Sequence, residues 1–273
     1  MTAMATRSST RARAAAHDGE SASYVFCLVE SVRPPSLAGI RPTLPSGGEP
    51  RILPVDRNIW LVTAEVPLRE YSKEAIERCL QNLDCVSARA LAHEATIAFF
   101  FKRRPVIPLK LFTLFANDDR AIGHLRRRAK QIRHLFDAVR DHEEWGVRFT
   151  IDPDETPSAP PARVTASGRD YLEAKKHRRQ HSNRAVGAAR KEAASAVTSL
   201  GKLAAQTRRM KSPLPVGRSE SPVVEAALLV ASWKSKAWAA RARTLGVRLA
   251  KHGCRIEITG PWPPYNFVSA RRS

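Results

Sequence analysis

With 43% hydrophobic and 26% charged residues in 273 positions, the chain has the composition of one or two globular domains, which excludes a wholly disordered polyampholyte and a fibrous repeat. Its 46 Lys and Arg against 26 Asp and Glu leave a net charge of +20, a field that attracts nucleic acid, an anionic membrane or an acidic protein surface. No run reaches the roughly 18 apolar residues of a membrane-spanning helix; the best, residues 95–101 and 223–231, are short, and Glu225 interrupts the second.

Residues 1–22 are rich in Ala, Ser, Thr and Arg, with Arg7, Arg11 and Arg13 and no acid before Asp18. The composition is similar to that of an organellar transit peptide, but there is neither the apolar stretch of a secretory signal nor an amphipathic stripe. The segment therefore reads as a disordered basic tail outside the fold. Residues 24–30 (YVFCLVE) and 58–66 (NIWLVTAEV) are apolar at nearly every position and read as central strands covered on both faces. Between them, the Pro and Gly of residues 34–54 predict a long irregular surface loop.

Ser72 is a candidate N-cap for a helix with Ile76, Leu80 and Leu83 on its apolar side. A second helix from Asp84 has Val86, Ala90, Ile97 and Phe101 at helical spacing before the charged stop at 102–105. Residues 106–115 (VIPLKLFTLF) form an edge strand or an extended segment broken at Pro108. Asn117 caps the clearest helix, with Asp118 and Asp119 in the first turn, a stripe of Ile122, Leu125, Ile132, Leu135, Phe136 and Val139, and Arg126, Arg127, Arg128, Lys130 and Arg133 on the opposite face. Trp145, Val147, Phe149 and Ile151 then alternate with polar or small residues, the period of a strand with one wet face.

Residues 152–166, with four prolines, read as a linker. After it, residues 168–210 read as a long Ala-rich basic helical segment with Val186, Ala193, Val197, Leu200 and Ala204 in phase. Its surroundings, residues 169–218, hold 13 Lys and Arg against 3 Asp and Glu, half of the net charge. An apolar strand near 223–231 follows, then a helix over 234–252 with Trp238, Ala242, Leu245 and Leu249 on one face, and a strand over 254–259. The order from Trp145 onward, strand, helix, strand, helix, strand, suits an α+β sandwich, of which the ferredoxin-like arrangement is the commonest. The expected organisation is a tail at 1–22, an N-terminal mixed α/β domain at 23–151, a linker at 152–166 and a C-terminal ferredoxin-like domain at 167–273, with strand 145–151 free to pair with the latter.

Catalytic and metal motifs are missing. His93 and Glu94 begin like HExxH, but Ile97 stands where the second histidine is required. Cys27, Cys79, Cys85 and Cys254 form no CxxC pair, and Cys27 and Cys254 lie in apolar strands and read as buried thiols, in keeping with a reducing cytoplasm. No GxSxG, GxxxxGK[ST] or GxGxxG occurs, so no enzyme activity, metal or cofactor is expected. The basic segment holds a single aromatic, Tyr171, too few for a single-strand stacking platform. At the C-terminus, the prolines of GPWPPYNFV end the last strand at Gly260 and leave Trp262, Tyr265 and Phe267 as an aromatic clamp to be buried on the chain's own sheet or on a partner.

GPWPPYNFV at 260–268, together with AHEA at 92–95, IPLKLFTLF at 107–115, EEWGVRF at 143–149 and SGRDYL at 167–172, resembles the gas vesicle synthesis proteins of the L and F type over residues 23–268. Phe112 departs from the pattern, since many members have Gly there, which leaves the local turn open. The resemblance implies a non-enzymatic, cytoplasmic accessory protein of gas vesicle assembly, an adaptor, chaperone or nucleation factor. It also implies contacts with the small hydrophobic shell protein and other accessory proteins. The expected contact residues are Trp262, Tyr265 and Phe267 as anchors, with Arg126, Arg127, Lys130, Arg133, Lys175, Lys176, Arg178 and Arg179 as docking surface. The charge of +20 keeps a basic nucleic-acid-binding module as the competing expectation.

Overall fold

The computed structural model describes residues 19–151, 168–210, 221–251 and 253–268; the linker expected at 152–166 and all but the end of the expected tail lie outside them. Two compact units emerge, one made of Met1–Arg140 with Pro263–Ser273, the other of Asp141–Trp262. The division thus falls ahead of the proline-rich stretch, and the last residues belong to the first unit.

The first unit is built on an antiparallel sheet in the order β2-β3-β1-β4, from β1 (Ser21–Glu30), β2 (Arg51–Asp56), β3 (Ile59–Pro67) and β4 (Val106–Pro108), with β5 (Leu114–Phe115) also pairing β1. Residues Ala22 to Val29 are all buried, so strand formation reaches back into the segment expected to be tail. A register shift between Val25 and Cys27 changes the side-chain phase. As a result Tyr24, Phe26, Cys27 and Val29 join one core cluster while Val25 and Leu28 join another. The expectation of a structureless loop at 34–54 is corrected at both ends: Ile40 and Leu44 are buried core residues, and β2 is a strand whose Pro54 is tolerated because it lies on the sheet edge.

The first cluster is completed by α1 (Leu68–Tyr71) and α3 (Leu83–Phe101), with α2 (Lys73–Leu80) between them. Ser72 caps α2 by accepting from the Ala75 N–H at 3.3 Å, and Asn82 caps α3 by accepting from the Cys85 N–H at 3.0 Å. The buried faces differ from the expected stripes. In α2 they are Ala75 and Cys79, while Leu80 and Leu83 are exposed; in α3 they are Arg89, Ala92, His93, Thr96, Ile97 and Phe100. Polar residues carry half of that face, so an apolar period cannot locate it. Cys79 and Cys85 form a disulfide across the turn joining the two helices, whereas Cys27 and Cys254 are free and buried.

The second cluster packs the other sheet face against α4 (Asp118–Arg126) and α5 (Ala129–Val139) through Ala121, Leu125, Ile132 and Phe136. These are two helices where the sequence predicts one. At the junction the Arg128 N–H bonds to the Leu125 carbonyl, three residues back, tightening and ending the first helix.

The second unit has the order β6 (His142–Ile151), α6 (Gly168–Gly201), β7 (Gln206–Met210), β8 (Ser221–Ala231), α7 (Ser235–Ala250), β9 (Cys254–Trp262), in an antiparallel sheet β7-β8-β6-β9. Both helices join the same cluster. Trp145, Val147 and Phe149 of β6 meet Ala193, Val197 and Leu200 of α6 and Trp238, Ala242, Leu245 and Leu249 of α7. Gly246 lets α7 approach β9 closely, since a Cβ there would lie 2.3 Å from Ile256 Cγ2. Strand β7 is an addition to the expected order: its QTRRM sequence is mostly exposed and polar, as an unpaired edge requires. The last strand also runs on beyond its expected end at Gly260, with Trp262 opposite Glu144 after a register shift.

Candidate interaction surfaces

The sharpest local geometry is in the irregular residues between β4 and β5. Phe112 has φ 60°, a left-handed conformation that a bulky side chain adopts only under constraint. The constraint is a buried polar chain. The Phe112 N–H donates to the Tyr24 hydroxyl oxygen at 3.3 Å, and that hydroxyl lies 2.8 Å from His93 Nδ1. His93 Nε2 in turn lies 3.1 Å from the Leu109 carbonyl, a partner that can only accept. Neutral His93 with its proton on Nε2 satisfies every member. Burial supports this state, since it pushes the His93 pKa down to about 4 against a partial opposing effect of the Leu109 hydrogen bond, and it raises the Tyr24 hydroxyl well above its usual range. His93, the first residue of the incomplete HExxH, is therefore a structural pin.

Phe112 borders a cleft of about 790 Å³ walled by Leu68, Tyr71, Ile76, Leu114 and Phe115, with Glu20, Lys73 and Glu77 among its charged lining. Tyr71 is held by its hydroxyl donating to the Pro45 carbonyl at 2.8 Å and by the Arg89 guanidinium 5.0 Å from its ring centre. Burial pushes its pKa up to about 12, with Arg89 acting against that rise. Arg89 is itself buried and pairs with Glu70 at 3.1 Å. The cleft thus has a largely apolar wall in which Tyr71 and the turn at Phe112 are held by hydrogen bonds, with charged residues also in its lining.

The predicted contact residues separate. Pro263 and Pro264 are buried, and α8 (Tyr265–Val268) places Tyr265 against the first cluster, its hydroxyl donating to Glu94 Oε1 at 2.7 Å. Phe267 is 5% exposed. Both aromatics are thus engaged within the first unit, while Trp262, at the end of β9, remains 49% exposed. Among the basic residues, Arg126 Nε donates to the Val55 carbonyl at 3.1 Å and Arg133 is paired with Asp56, so these two hold the edge strand β2. Arg127, Lys130, Lys175 and Lys176 are exposed, and the side chains of Arg178 and Arg179 lie outside the described residues.

Sequence reasoning overlooked the cleft, whose wall is drawn from three separate stretches. It also overlooked the outer face of α7, where Trp233 just before the helix is 80% exposed and Val247 is 71% exposed. A local signal for the latter existed: residues 226–256 contain seven Lys and Arg and no Asp or Glu.

Comparison with known proteins agrees with this architecture. The chain is 28% identical over 257 residues to gas vesicle protein L of Streptomyces sp. (strain CB03234), covering 90% of this chain and 92% of that protein. Its structure is similar to the crystal structure of the gas vesicle protein GvpF from Anabaena sp. PCC7120, with a TM-score of 0.66 at 14% identity over 93% of this chain and 98% of that one. It is also similar to GvpF from Microcystis aeruginosa, with a TM-score of 0.57 at 11% identity over 91% and 99%. The model of the gas vesicle synthesis protein GvpL/GvpF family matches residues 22–269, and the chain belongs to that family.

Proposed function

We propose that the protein is a non-enzymatic adaptor or chaperone of gas vesicle assembly that binds the apolar shell protein and other accessory proteins in the cytoplasm. The observation that carries this reading is the pinned apolar cleft at Leu68, Tyr71, Ile76, Phe112 and Leu114, in a chain of the gas vesicle synthesis family. A shell subunit with an apolar face aggregates unless that face is covered before assembly, and an apolar cleft on a partner can cover it reversibly. The exposed Trp262, Lys175 and Lys176 of the second unit and Arg127 and Lys130 of the first are each available for contacts with other accessory proteins. The strand and helix order of the second unit and its sheet order β7-β8-β6-β9 support reading it as a ferredoxin-like module.

The test is a deletion in a vesicle-forming strain, complemented with wild type or with Ile76→Asp and Leu114→Asp in the cleft. Loss of flotation in the deletant and failure of the folded cleft variant to restore it are expected; normal vesicles in the deletant would overturn the reading. The net charge of +20 favours one competitor, a nucleic-acid-binding module. Purified protein would then retain nucleic acid with an affinity falling steeply as salt rises.

A further inference from the structure

We propose that the outer face of α7 is a docking site for an acidic amphipathic helix of a partner protein. This deepens the adaptor reading, on which it rests, by fixing the chemistry of one partner.

Two basic helical surfaces of the molecule differ in how far their cations are neutralised. On α4 and α5, Arg126 and Arg133 are bound to β2, just beyond α5 Arg140 reaches Glu30 at 2.8 Å, and Arg127, Arg128 and Lys130 stay exposed among these partnered neighbours. On α7, Lys236, Arg241, Arg243, Arg248 and Lys251 are all exposed and make no ion pair among the described residues. Chain neighbours do not neutralise them either, because residues 226–256 contain no acid. Five uncompensated cations on one helix repel each other, and a complementary partner relieves that repulsion.

The pattern within the face selects the class of partner. Ala237, Ala240, Thr244 and Val247 recur at helical spacing as one exposed line of small side chains. Lys236 and Arg243 flank it on one side, Arg241 and Arg248 on the other, and Lys251 lies at its end. Trp233, with the Lys234 ammonium 4.6 Å from its ring centre, stands exposed at the other end. A smooth apolar strip between cationic rails fits a helix that presents small apolar residues along its centre and Asp or Glu on both sides. A nucleic-acid strand has no use for the strip, and a single Trp gives no stacking platform. From Lys236 to Lys251 the face extends about 22 Å, which matches a partner helix of about 15 residues.

The experiment uses the full chain and a fluorescein-labelled helical peptide of about 16 residues, with an Ala/Leu strip between Glu rails. Two further probes are its Gln-for-Glu twin and a single-stranded DNA of about 20 nucleotides. Binding is read by anisotropy. Lys236→Glu, Arg241→Glu, Arg243→Glu and Arg248→Glu are combined in one variant; a control variant combines Arg57→Glu, Arg78→Glu, Lys102→Glu and Arg120→Glu in the first unit, so the net charge change is the same. The α7 variant should weaken the Glu peptide about tenfold or more while the control keeps most of the affinity. The Gln twin should bind poorly to wild type. Val247→Asp, which removes no cation, should weaken the Glu peptide about threefold or more, and it remains decisive if the fourfold variant fails to fold by circular dichroism. Equal loss in the α7 and control variants, undiminished binding of the Gln twin, or DNA binding more tightly than the peptide at the same face would overturn the proposal. In cells forming vesicles, wild-type protein capturing no gas vesicle component would instead sink the adaptor reading, whereas the peptide titrations decide the α7 face alone.

Discussion

In the first unit β1 runs through eight consecutive buried residues because helices cover both faces of its sheet, while in the second unit β6 and β9 keep one face wet. On that wet face Arg148 sits between Glu225 at 2.6 Å and Glu257 at 3.4 Å. The two sheets therefore place their polar groups differently. The first must satisfy Ser23, Thr63 and His93 inside the protein, through the Asp118 carboxylate, the Tyr24 carbonyl and the Tyr24 hydroxyl. The second leaves Arg148 in solvent and keeps an apolar core cluster, beside which Trp145 donates to Ser235 at 2.8 Å and Ser235 in turn to Glu143. The double-sided sheet thus depends on polar contacts made by the strands and helices on both of its faces, whereas the single-sided one makes them around its tryptophans, where Trp145 donates to Ser235 and Trp238 to the Leu200 carbonyl.

The largest expected effect tests the packing side of this contrast. Trp238 is 1% exposed, stacks at a tilt 5.4 Å from the Trp145 ring centre, and donates its Nε1–H to the Leu200 carbonyl at 3.3 Å. Trp238→Ala should cost about 3–5 kcal/mol in urea denaturation, with loss of amide protection along Trp145–Phe149 by hydrogen exchange. A cost below about 1 kcal/mol would mean that this core is not held by its tryptophans.

Next comes His93 and the polar core of the first unit. An unfolded histidine titrates near 6.5, and the buried one is pushed down to about 4, so between these values the unfolded chain takes up a proton that the folded chain refuses. The stability contributed by neutral His93 is fully present above pH 6.5 and is lost as pH falls toward 4, on the order of 3 kcal/mol over the window. Wild type should show this slope in denaturation midpoints between pH 7.5 and 4.5, and His93→Gln should lack that share of it. Equal slopes would show that the ring is not held neutral.

Removing only the hydroxyl of Tyr24 should cost about 1–3 kcal/mol, because Tyr24→Phe strands both the Phe112 N–H and His93 Nδ1 in a buried site. Phe112 offers a subtler test of the same pin. At φ 60° a residue with a Cβ is strained and glycine is not, so Phe112→Gly should be more stable than Phe112→Ala by about 1 kcal/mol. That inverts the usual order of the two residues. If Ala proves the better replacement, the left-handed turn is not maintained in solution.

The same contrast decides how much of the molecule is legible in its sequence. Trp145, Val147 and Phe149 announce β6 by period two because solvent covers its other face; β1 shows only an unbroken apolar run, and the phase change between Val25 and Cys27 is invisible within it. The face of α3 is hidden because Arg89, His93 and Thr96 carry it, and their burial depends on Glu70, Tyr24 and the Ala92 carbonyl. Strand β7 is hidden for the opposite reason, since an exposed edge of Gln, Thr and Arg looks like loop. The candidate surfaces were legible only in part. The GPWPPYNFV run marks a structured tail, but which of its aromatics stay exposed depends on the packing of Tyr265 and Phe267 into the first unit. The cleft joins residues from 20 to 116 and has no local pattern. The departure of Phe112 from the Gly that many members of the family carry there was the one sequence sign of the strained turn beside the cleft.

The smallest effect closes the contrast on the wet face. Arg148 is a central residue of the second sheet, and its guanidinium pKa is raised first by the hydrogen bond to Glu225 and then by that carboxylate's charge, with a further contribution from Glu257. In a buried sheet such a cation would be costly to remove, because two carboxylates would be left facing each other without it. Here the Arg148 side chain is 53% exposed, so water screens both pairs and can replace the guanidinium at either acid. Arg148→Ala should therefore change stability by less than about 1 kcal/mol at 0.15 M salt, and by less again at 1 M. A loss as large as that of Tyr24→Phe would show that this face is covered in solution, and would make the open side of the second sheet, like the first, a buried one.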